Sequence, residues 1–381
     1  MKIAFVVHDY RRMEGHSRYV VELATRFAKH HEVHVFANQF EGDTRGIQCH
    51  FVPAWRPNAL TSIVSFAFQA TLRVRGDFDI IHNQGLCGLR GNVITAHICN
   101  RAWSRALRRV QGSLSVHEWI SGSTLSILEY LSYRAAAGSQ VIAVSNRIAR
   151  DLKMLYGCRS NISVIHHGVD LEAFRPACDH PQRSFVRAKC GLASDETVFL
   201  FVGDLRKGAR QCLEALAHLP AGKLLFVSRT PDGPYRALAS QLELGARAVF
   251  LGATTEVEQY YAAADAFLLP THYDSFAMVV TEAMASALPV IVSREAGVSE
   301  LIQDGANGLV LDDFSDATEL ASKMRLLLDN PHLARRLGVA ARNTTEDYSW
   351  DMVAARTMRV YQQAVAGARL GTNAPYSSVA H

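Results

Sequence analysis

The sequence predicts an α/β protein of two Rossmann-like, doubly wound parallel-sheet domains facing a central cleft. Three observations predict it. Short runs rich in Val, Ile, Leu and Phe alternate with longer helical patterns from the first residue, the signature of βαβ units. The alternation restarts near Val198, after a polar, turn-rich stretch. And 381 residues suffice for two such domains, each burying its own core.

In the first half, the runs Lys2–Val7, Glu32–Ala37, His50–Pro53, Asp79–His82, Val93–Ala96, Val141–Val144 and Ser163–Ile165 read as strands. Their continuous apolar character predicts burial on both faces. Between the first two, Val20, Ala24, Phe27 and Ala28 share one side of a helix that should cover the sheet. The second series is Val198–Val202, Leu224–Val227, Ala248–Leu251, Ala266–Leu269 and Val290–Val292, each followed by a helical segment. The hinge falls in the turn-rich stretch from His167 to Pro181, which puts the domains at 1–175 and 176–350. The tail after Leu370 has small and polar residues without an apolar period and is expected to fray.

Hydrophobic residues make up 49% of the chain and charged residues 20%, which excludes a disordered or fibrous protein. No apolar run reaches membrane-spanning length, and the opening MKIAFVVHDYRR is too short for a signal-peptide core, so a cytoplasmic location is expected. Cys49, Cys87, Cys99, Cys158, Cys178, Cys190 and Cys212 are scattered singly without a CxxC pair, the pattern of reduced thiols rather than of disulfides or zinc. Residues 1–180 hold 21 Lys and Arg against 14 Asp and Glu, while the remainder holds 19 against 22. The basic surplus of the first half suits an anionic partner, although ordinary soluble domains also carry such a surplus.

The densest chemical signal is Tyr273-Asp274-Ser275-Phe276-Ala277-Met278-Val279-Val280-Thr281-Glu282, directly after a predicted strand. A helix beginning near Ser275 to Ala277 would turn free N–H groups toward a diphosphate. Glu282, two turns on, could accept two hydroxyl hydrogen bonds from a ribose, and Asp274 could hold sugar hydroxyls. Alone, the two acids read equally well as a loop acid and an exposed helical acid. A second signal is Gly203-Asp204-Leu205-Arg206-Lys207-Gly208, a strand ending in a glycine loop with adjacent cations before a helix. Fixed cations stabilise a leaving diphosphate more than its ground state, so no cofactor and no metal is expected. Gly15, after the first strand and before a helix, would let the backbone approach a phosphate, unless it marks an ordinary tight turn. Asp77-Phe78-Asp79 reads as a turn before a strand rather than a metal site. GxGxxG, GxxxxGK[ST] and HExxH are all absent, which weakens dehydrogenase, kinase and metalloprotease readings.

The block YYAAADAFLLPTHYDSFAMVVTEAMASALPVIVSREAGVSELIQDGANGLVL, from Tyr260 to Leu311, strongly resembles the retaining family-4 glycosyltransferases, or glycosyl transferases group 1, of the GT-B fold. The resemblance extends over nearly the whole chain: MKIAFVV and Gly15-His16-Ser17-Arg18-Tyr19, Val141–Ser145, Ile165–Pro176 and Tyr348-Ser349-Trp350-Asp351. It implies transfer of a sugar from a nucleotide diphosphate, UDP favoured, to a glycan or lipid-linked acceptor with retention, by front-face attack. It also implies envelope polysaccharide or lipopolysaccharide synthesis, an acceptor in the first domain, a donor in the second, and a last helix, 351–368, packing back on the first domain. Carried onto this chain, it gives Arg206 and Lys207 the diphosphate, His97 a place beside the transferred sugar, and Arg229 and Thr254 the base. Departures from the family pattern are Asp274 in place of a glutamate, Asp204 in the glycine loop and His16 in place of a second glycine. They leave open a degenerate nucleotide-sugar-binding subunit, and a UDP-sugar epimerase of similar two-lobe fold is a further alternative. Arg101, Arg105, Arg108 and Arg109 recur at helical spacing beside Trp103, Ala106, Leu107 and Val110. Such a basic amphipathic helix suits an anionic membrane surface, an anionic acceptor, or simply solvent. No nucleic-acid partner is expected.

Overall fold

The computed structural model describes residues 1–12, 15–135, 138–176 and 180–372. Cys178 and the end of the tail lie outside the described residues. The chain divides into unit 1, Met1–His166 with the segment from Trp350 onward, and unit 2, His167–Ser349.

Unit 1 runs β1 (Lys2–Val6), β2 (Asp9–Tyr10), α1 (Gly15–Phe27), β3 (Glu32–Ala37), β4 (Gln39–Phe40), β5 (Ile47–Phe51), α2 (Ala59–Arg73), β6 (Ile80–Gln84), β7 (Val93–Ala96), α3 (Asn100–Gln111), α4 (Val116–Ala135), β8 (Gln140–Ala143), α5 (Asn146–Tyr156) and β9 (Asn161–Val164). Seven of these strands form one parallel sheet in the order β5-β3-β1-β6-β7-β8-β9, while β2 and β4 pair separately. The central strands are buried along their length, as apolar runs on a two-sided sheet must be. Local signals set the helix ends. Asn58 and Ser145 accept from Thr61 N and Ile148 N to open α2 and α5, and Gly157, at φ +60°, closes α5.

Unit 2 runs α6 (Arg183–Lys189), β10 (Val198–Val202), α7 (Ala209–Ala217), β11 (Lys223–Val227), α8 (Gly233–Gln241), β12 (Ala248–Leu251), α9 (Glu258–Ala263), β13 (Ala266–Leu269), α10 (Met278–Ala285), β14 (Val290–Ser293), β15 (Leu309–Leu311), α11 (Ala317–Asp329) and α12 (Pro331–Thr345). Its parallel sheet has the order β12-β11-β10-β13-β14-β15. The last helix, α13 (Trp350–Thr372), belongs to unit 1, where Trp350 and Tyr361 are buried and the Tyr361 hydroxyl lies 2.7 Å from His82 Nδ1.

Strand positions drift from expectation at the edges. The predicted His50–Pro53 is β5, paired from Val33↔Ile47 to Ala37↔Phe51; as a mostly exposed edge strand it carries polar residues that hydropathy passes over. The predicted strand ending at His82 continues to Gln84, because His82, Asn83 and Gln84 are buried polar residues with hydrogen-bond partners. Three-residue β15 carries too short an apolar run to be recognised. The boundary lies at 166/167 rather than 175/176: Val169 N donates to Tyr348 O, and Arg342 donates to the carbonyls of Leu171 and Phe174, tying this stretch to unit 2.

Arg187 holds α6 against the start of the unit 2 sheet. It is 5% exposed and donates to the carbonyls of Ala263, Ala193 and Glu196, with Asp265 Oδ2 at 3.3 Å. Asp265 in turn accepts from Val198 N at 2.8 Å, joining β10 and β13. Arg187→Met should cost about 3–5 kcal/mol in urea denaturation, since it strands three carbonyls and removes one of Asp265's cations; a loss below about 1 kcal/mol would disprove the role.

Candidate functional site

In an open parallel sheet, the loops leaving neighbouring strands diverge where the strand order reverses, and ligands bind there. In unit 2 the reversal lies between β10 and β13. The loops after these two strands hold the strongest sequence signals.

After β10, Gly203 (φ +126°) turns the chain, Asp204 caps a 3₁₀ turn over Leu205–Lys207, and Gly208 (φ +116°) opens α7. Glycine is required at 208: a Cβ would lie 2.3 Å from the carbonyl oxygen of Pro270, at the end of β13. This close approach brings the two loops together. Lys207 Nζ lies 2.7 Å from Asp274 Oδ2, with the lysine side chain one-third exposed and the aspartate 11% exposed. The Asp274 carboxylate raises the Lys207 pKa, so the ammonium is held charged. The Asp274 backbone is itself pinned, its N donating to Glu295 O and its carbonyl accepting from Gly297 N.

Arg206 is placed differently from the expectation that it meets the diphosphate directly. Its guanidinium forks onto Asp204, with Nη2 2.6 Å from Oδ2, and the side chain is 74% exposed. Burial pushes the Asp204 carboxyl up, but the Arg206 contacts outweigh it and hold the group below the usual range. The departure at Asp204 is thus a charge partner for Arg206.

Helix α10 begins at Met278, after Ala277, whose φ of +73° is a left-handed conformation rare for alanine. Ser275 and Phe276 therefore belong to the loop rather than to the first turn. The Phe276 side chain is buried with its ring against that of His167, while Met278 and Val279 open the helix. Glu282 is buried, and its Oε2 accepts from the Tyr261 hydroxyl at 3.0 Å. Arg229 lines a cavity of about 440 Å³ with Leu205, Thr230, Phe250 and Gly252. Thr254 does not line it; its hydroxyl accepts from Glu256 N and shapes the turn before α9. His272, overlooked in the sequence because no motif marks it, has its pKa lowered by burial and by the charges of Lys207 and Arg206.

In unit 1 the order reverses between β1 and β6. A cavity of about 430 Å³ lies there, lined among others by His8, Asp9, His16, Gln84, His97 and Glu129. Gly15 is the first residue of α1 rather than a loop residue, and the next residue, His16, has its ring 6.0 Å from that of His97. His97 Nε2 lies 2.8 Å from the Gln84 side-chain amide, and the two groups share a hydrogen bond. Four lining residues escaped the sequence reading. His8 and Asp9 directly follow the first strand, a position that could have revealed them, whereas Gln84 and Glu129 sit in no motif. Burial would raise the Asp9 carboxyl, but His8 and Arg56 hold it below the usual range. Glu129 is 2% exposed, and burial pushes it to about 7 although it accepts from Tyr156 Oη and Asn100 N.

The basic helix is α3. Arg101 is spent on structure, its Nη1 donating to Leu155 O. Asp79 accepts from Lys2 N at the start of β6, as a turn residue would.

The family described as Glycosyltransferase Family 4 matches residues 13–173, and that described as Glycosyl transferases group 1 matches residues 182–344. The chain belongs to the family-4 glycosyltransferases. Its fold is GT-B, like that of a sucrose-phosphate synthase from Thermosynechococcus elongatus, which superimposes with a TM-score of 0.80 at 23% identity over 96% of this chain and 99% of that one. A HepE protein from Anabaena, solved with UDP-glucose, gives a TM-score of 0.73 at 18% identity, covering 95% of this chain and 100% of the other. A D-inositol 3-phosphate glycosyltransferase from Streptomyces bingchenggensis is 32% identical over 61% of this chain. That match spans 54% of the relative's own length.

Two substitutions test the geometry of this glycosyltransferase. Gly208→Ala should destabilise unit 2 by about 3 kcal/mol or more, or prevent soluble accumulation, because both the left-handed backbone and the Pro270 carbonyl oppose a side chain; a thermal midpoint unchanged from wild type would contradict it. Glu129 carries a folded pKa above its unfolded value of 4.5, so its contribution to stability falls as pH rises from 4.5 through about 7. Glu129→Gln should therefore be more stable than wild type by about 1–3 kcal/mol at pH 8, with the difference vanishing near pH 4.5; a difference independent of pH would refute the assignment.

Proposed function

We propose that this glycosyltransferase is a metal-independent, retaining hexosyltransferase that takes its sugar from a nucleotide diphosphate donor, UDP-sugar favoured, held by unit 2. Unit 1 binds the acceptor, whose own hydroxyl attacks. The reading rests on the Lys207–Asp274 pair at the β10/β13 switch point. As the anomeric C–O bond breaks, negative charge grows on the departing phosphate. An ammonium already fixed and kept charged by Asp274 stabilises that charge without reorganising. The acceptor oxygen bonds to the anomeric carbon on the face the diphosphate leaves, and its proton passes to the departing phosphate oxygen. Arg206, whose side chain is 74% exposed, exchanges Asp204 for the diphosphate. The opening of α10 receives the diphosphate, Glu282 the ribose diol, and the Arg229 cavity the base. His97 positions a sugar hydroxyl.

The UDP preference is supported by the HepE neighbour, whose structure holds UDP-glucose. The acceptor is a glycan or lipid-linked molecule. The assignment to lipopolysaccharide or envelope polysaccharide gains nothing from the relatives reported above, whose names carry an inositol phosphate and a sucrose phosphate. A phosphorylated, hydroxyl-rich acceptor fits the basic surplus of residues 1–180.

Nucleotide sugars that raise the thermal midpoint should then support acceptor-dependent release of nucleoside diphosphate in the presence of EDTA. Lys207→Ala should lower kcat by about 100-fold or more in protein that still folds, although loss of the Asp274 partner lowers its thermal midpoint, and Glu282→Ala should raise the donor KM. Donor conversion without acceptor would instead mark an epimerase. Nucleotide binding without turnover, across a panel of inositol phosphates, sugar phosphates and lipid-linked sugars, would mark a binding subunit.

A further inference from the structure

Helix α4 inverts the usual amphipathic pattern. A helix on a globular domain buries its apolar stripe and exposes its polar one. Among its described side chains, α4 buries only Glu129 and Tyr133, while Val116, Trp119, Ile120, Ile127 and Leu131 are exposed, from 48% to 75%. Its neighbour α3 buries only Ala106. Exposed apolar surface of this extent on one helix calls for a partner.

The charge beside it points to what that partner is. Residues 51–134 contain nine arginines and no lysine, against four acids, one of them the buried Glu129. On α3, no carboxylate pairs with Arg105, Arg108 or Arg109 among the described residues. A groove of about 640 Å³ runs between α3 and α4, where Arg101, Arg105 and Arg108 face Trp119, Ser123 and Tyr130. Guanidinium forks match phosphate oxygens, and an indole beside them suits the boundary between headgroups and acyl chains. No helix among the described residues is long and apolar enough to cross a membrane, so these helices would lie on a bilayer rather than span it.

We propose that the α3–α4 hairpin is a docking surface for an anionic phospholipid bilayer, with the exposed apolar side chains of α4 entering the acyl boundary and the α3 arginines bound to lipid phosphates. The cavity of unit 1 is lined by Leu125 and Glu129 of the same α4, so an acceptor borne by that bilayer is delivered beside the docking helix. The docking claim rests on unit 1 alone and stands or falls separately from the donor chemistry of unit 2.

The test is sedimentation of the full chain with vesicles of phosphatidylcholine alone or with 30% phosphatidylglycerol, at low and high salt. Wild type should bind the anionic vesicles at least about 10-fold more tightly than the neutral ones, and salt should weaken the binding. Trp119→Ser/Ile120→Ser/Ile127→Ser and, separately, Arg105→Ser/Arg108→Ser/Arg109→Ser should each weaken it about 10-fold or more. Both variants alter exposed or partly exposed positions, so thermal midpoints and UDP binding should match wild type. Failure of wild type to bind anionic vesicles, or variants that bind as wild type does, would overturn the proposal. So would concentration-dependent self-association of wild type that the α4 variant abolishes, because the apolar face would then belong to a second copy of the chain.

Discussion

The near-contact of Gly208 with the Pro270 carbonyl is the constraint on which the candidate site depends. It lets the loops after two adjacent strands close on each other, and the Lys207–Asp274 ion pair follows from that closeness. The pair stays put because the Asp274 backbone is tied to the loop after β14. A lysine one-third exposed beside a mostly buried carboxylate keeps its charge in a place where water is already scarce. Next to it, the exposed Arg206 guanidinium forks onto the part-buried Asp204 carboxylate.

Unit 1 applies the same topological rule to different chemistry. Its reversal between β1 and β6 opens on a cavity where imidazole, amide and carboxyl groups sit among apolar side chains such as Phe66 and Leu125, and where His8 and Arg56 lower the pKa of Asp9. Gln84 contributes by holding the His97 ring through a hydrogen bond to Nε2.

Much of this was legible in the amino acids, for reasons that differ from element to element. Central strands such as β10 and β13 are buried on both faces and announce themselves as unbroken apolar runs. Edge strands β5 and β15 have solvent or too few residues on their side, so their limits slipped or they went unseen. β6 was cut short because it ends in polar residues whose hydrogen bonds are made in the fold, out of reach of hydropathy. Lys207 and Asp274 stood out because glycines and a strand flank them. That they would pair with each other, and Arg206 with Asp204, depends on separations of a few ångström that no spacing encodes. Gln84 and Glu129 were invisible for a further reason: a neutral amide and a lone helical acid acquire meaning only through burial.

The position of α13 bears on how the chain comes to be folded at all. Unit 2 is one continuous stretch, but unit 1 is completed only when Trp350 and Tyr361 join a core begun some three hundred residues earlier. On a ribosome, the second-encoded unit can close while the first still lacks its final helix, leaving Tyr19 and His82 without the aromatic side chains that cover them. Assembly order is thereby reversed relative to synthesis, and a nascent chain stalled before residue 350 would be the species most in need of a chaperone.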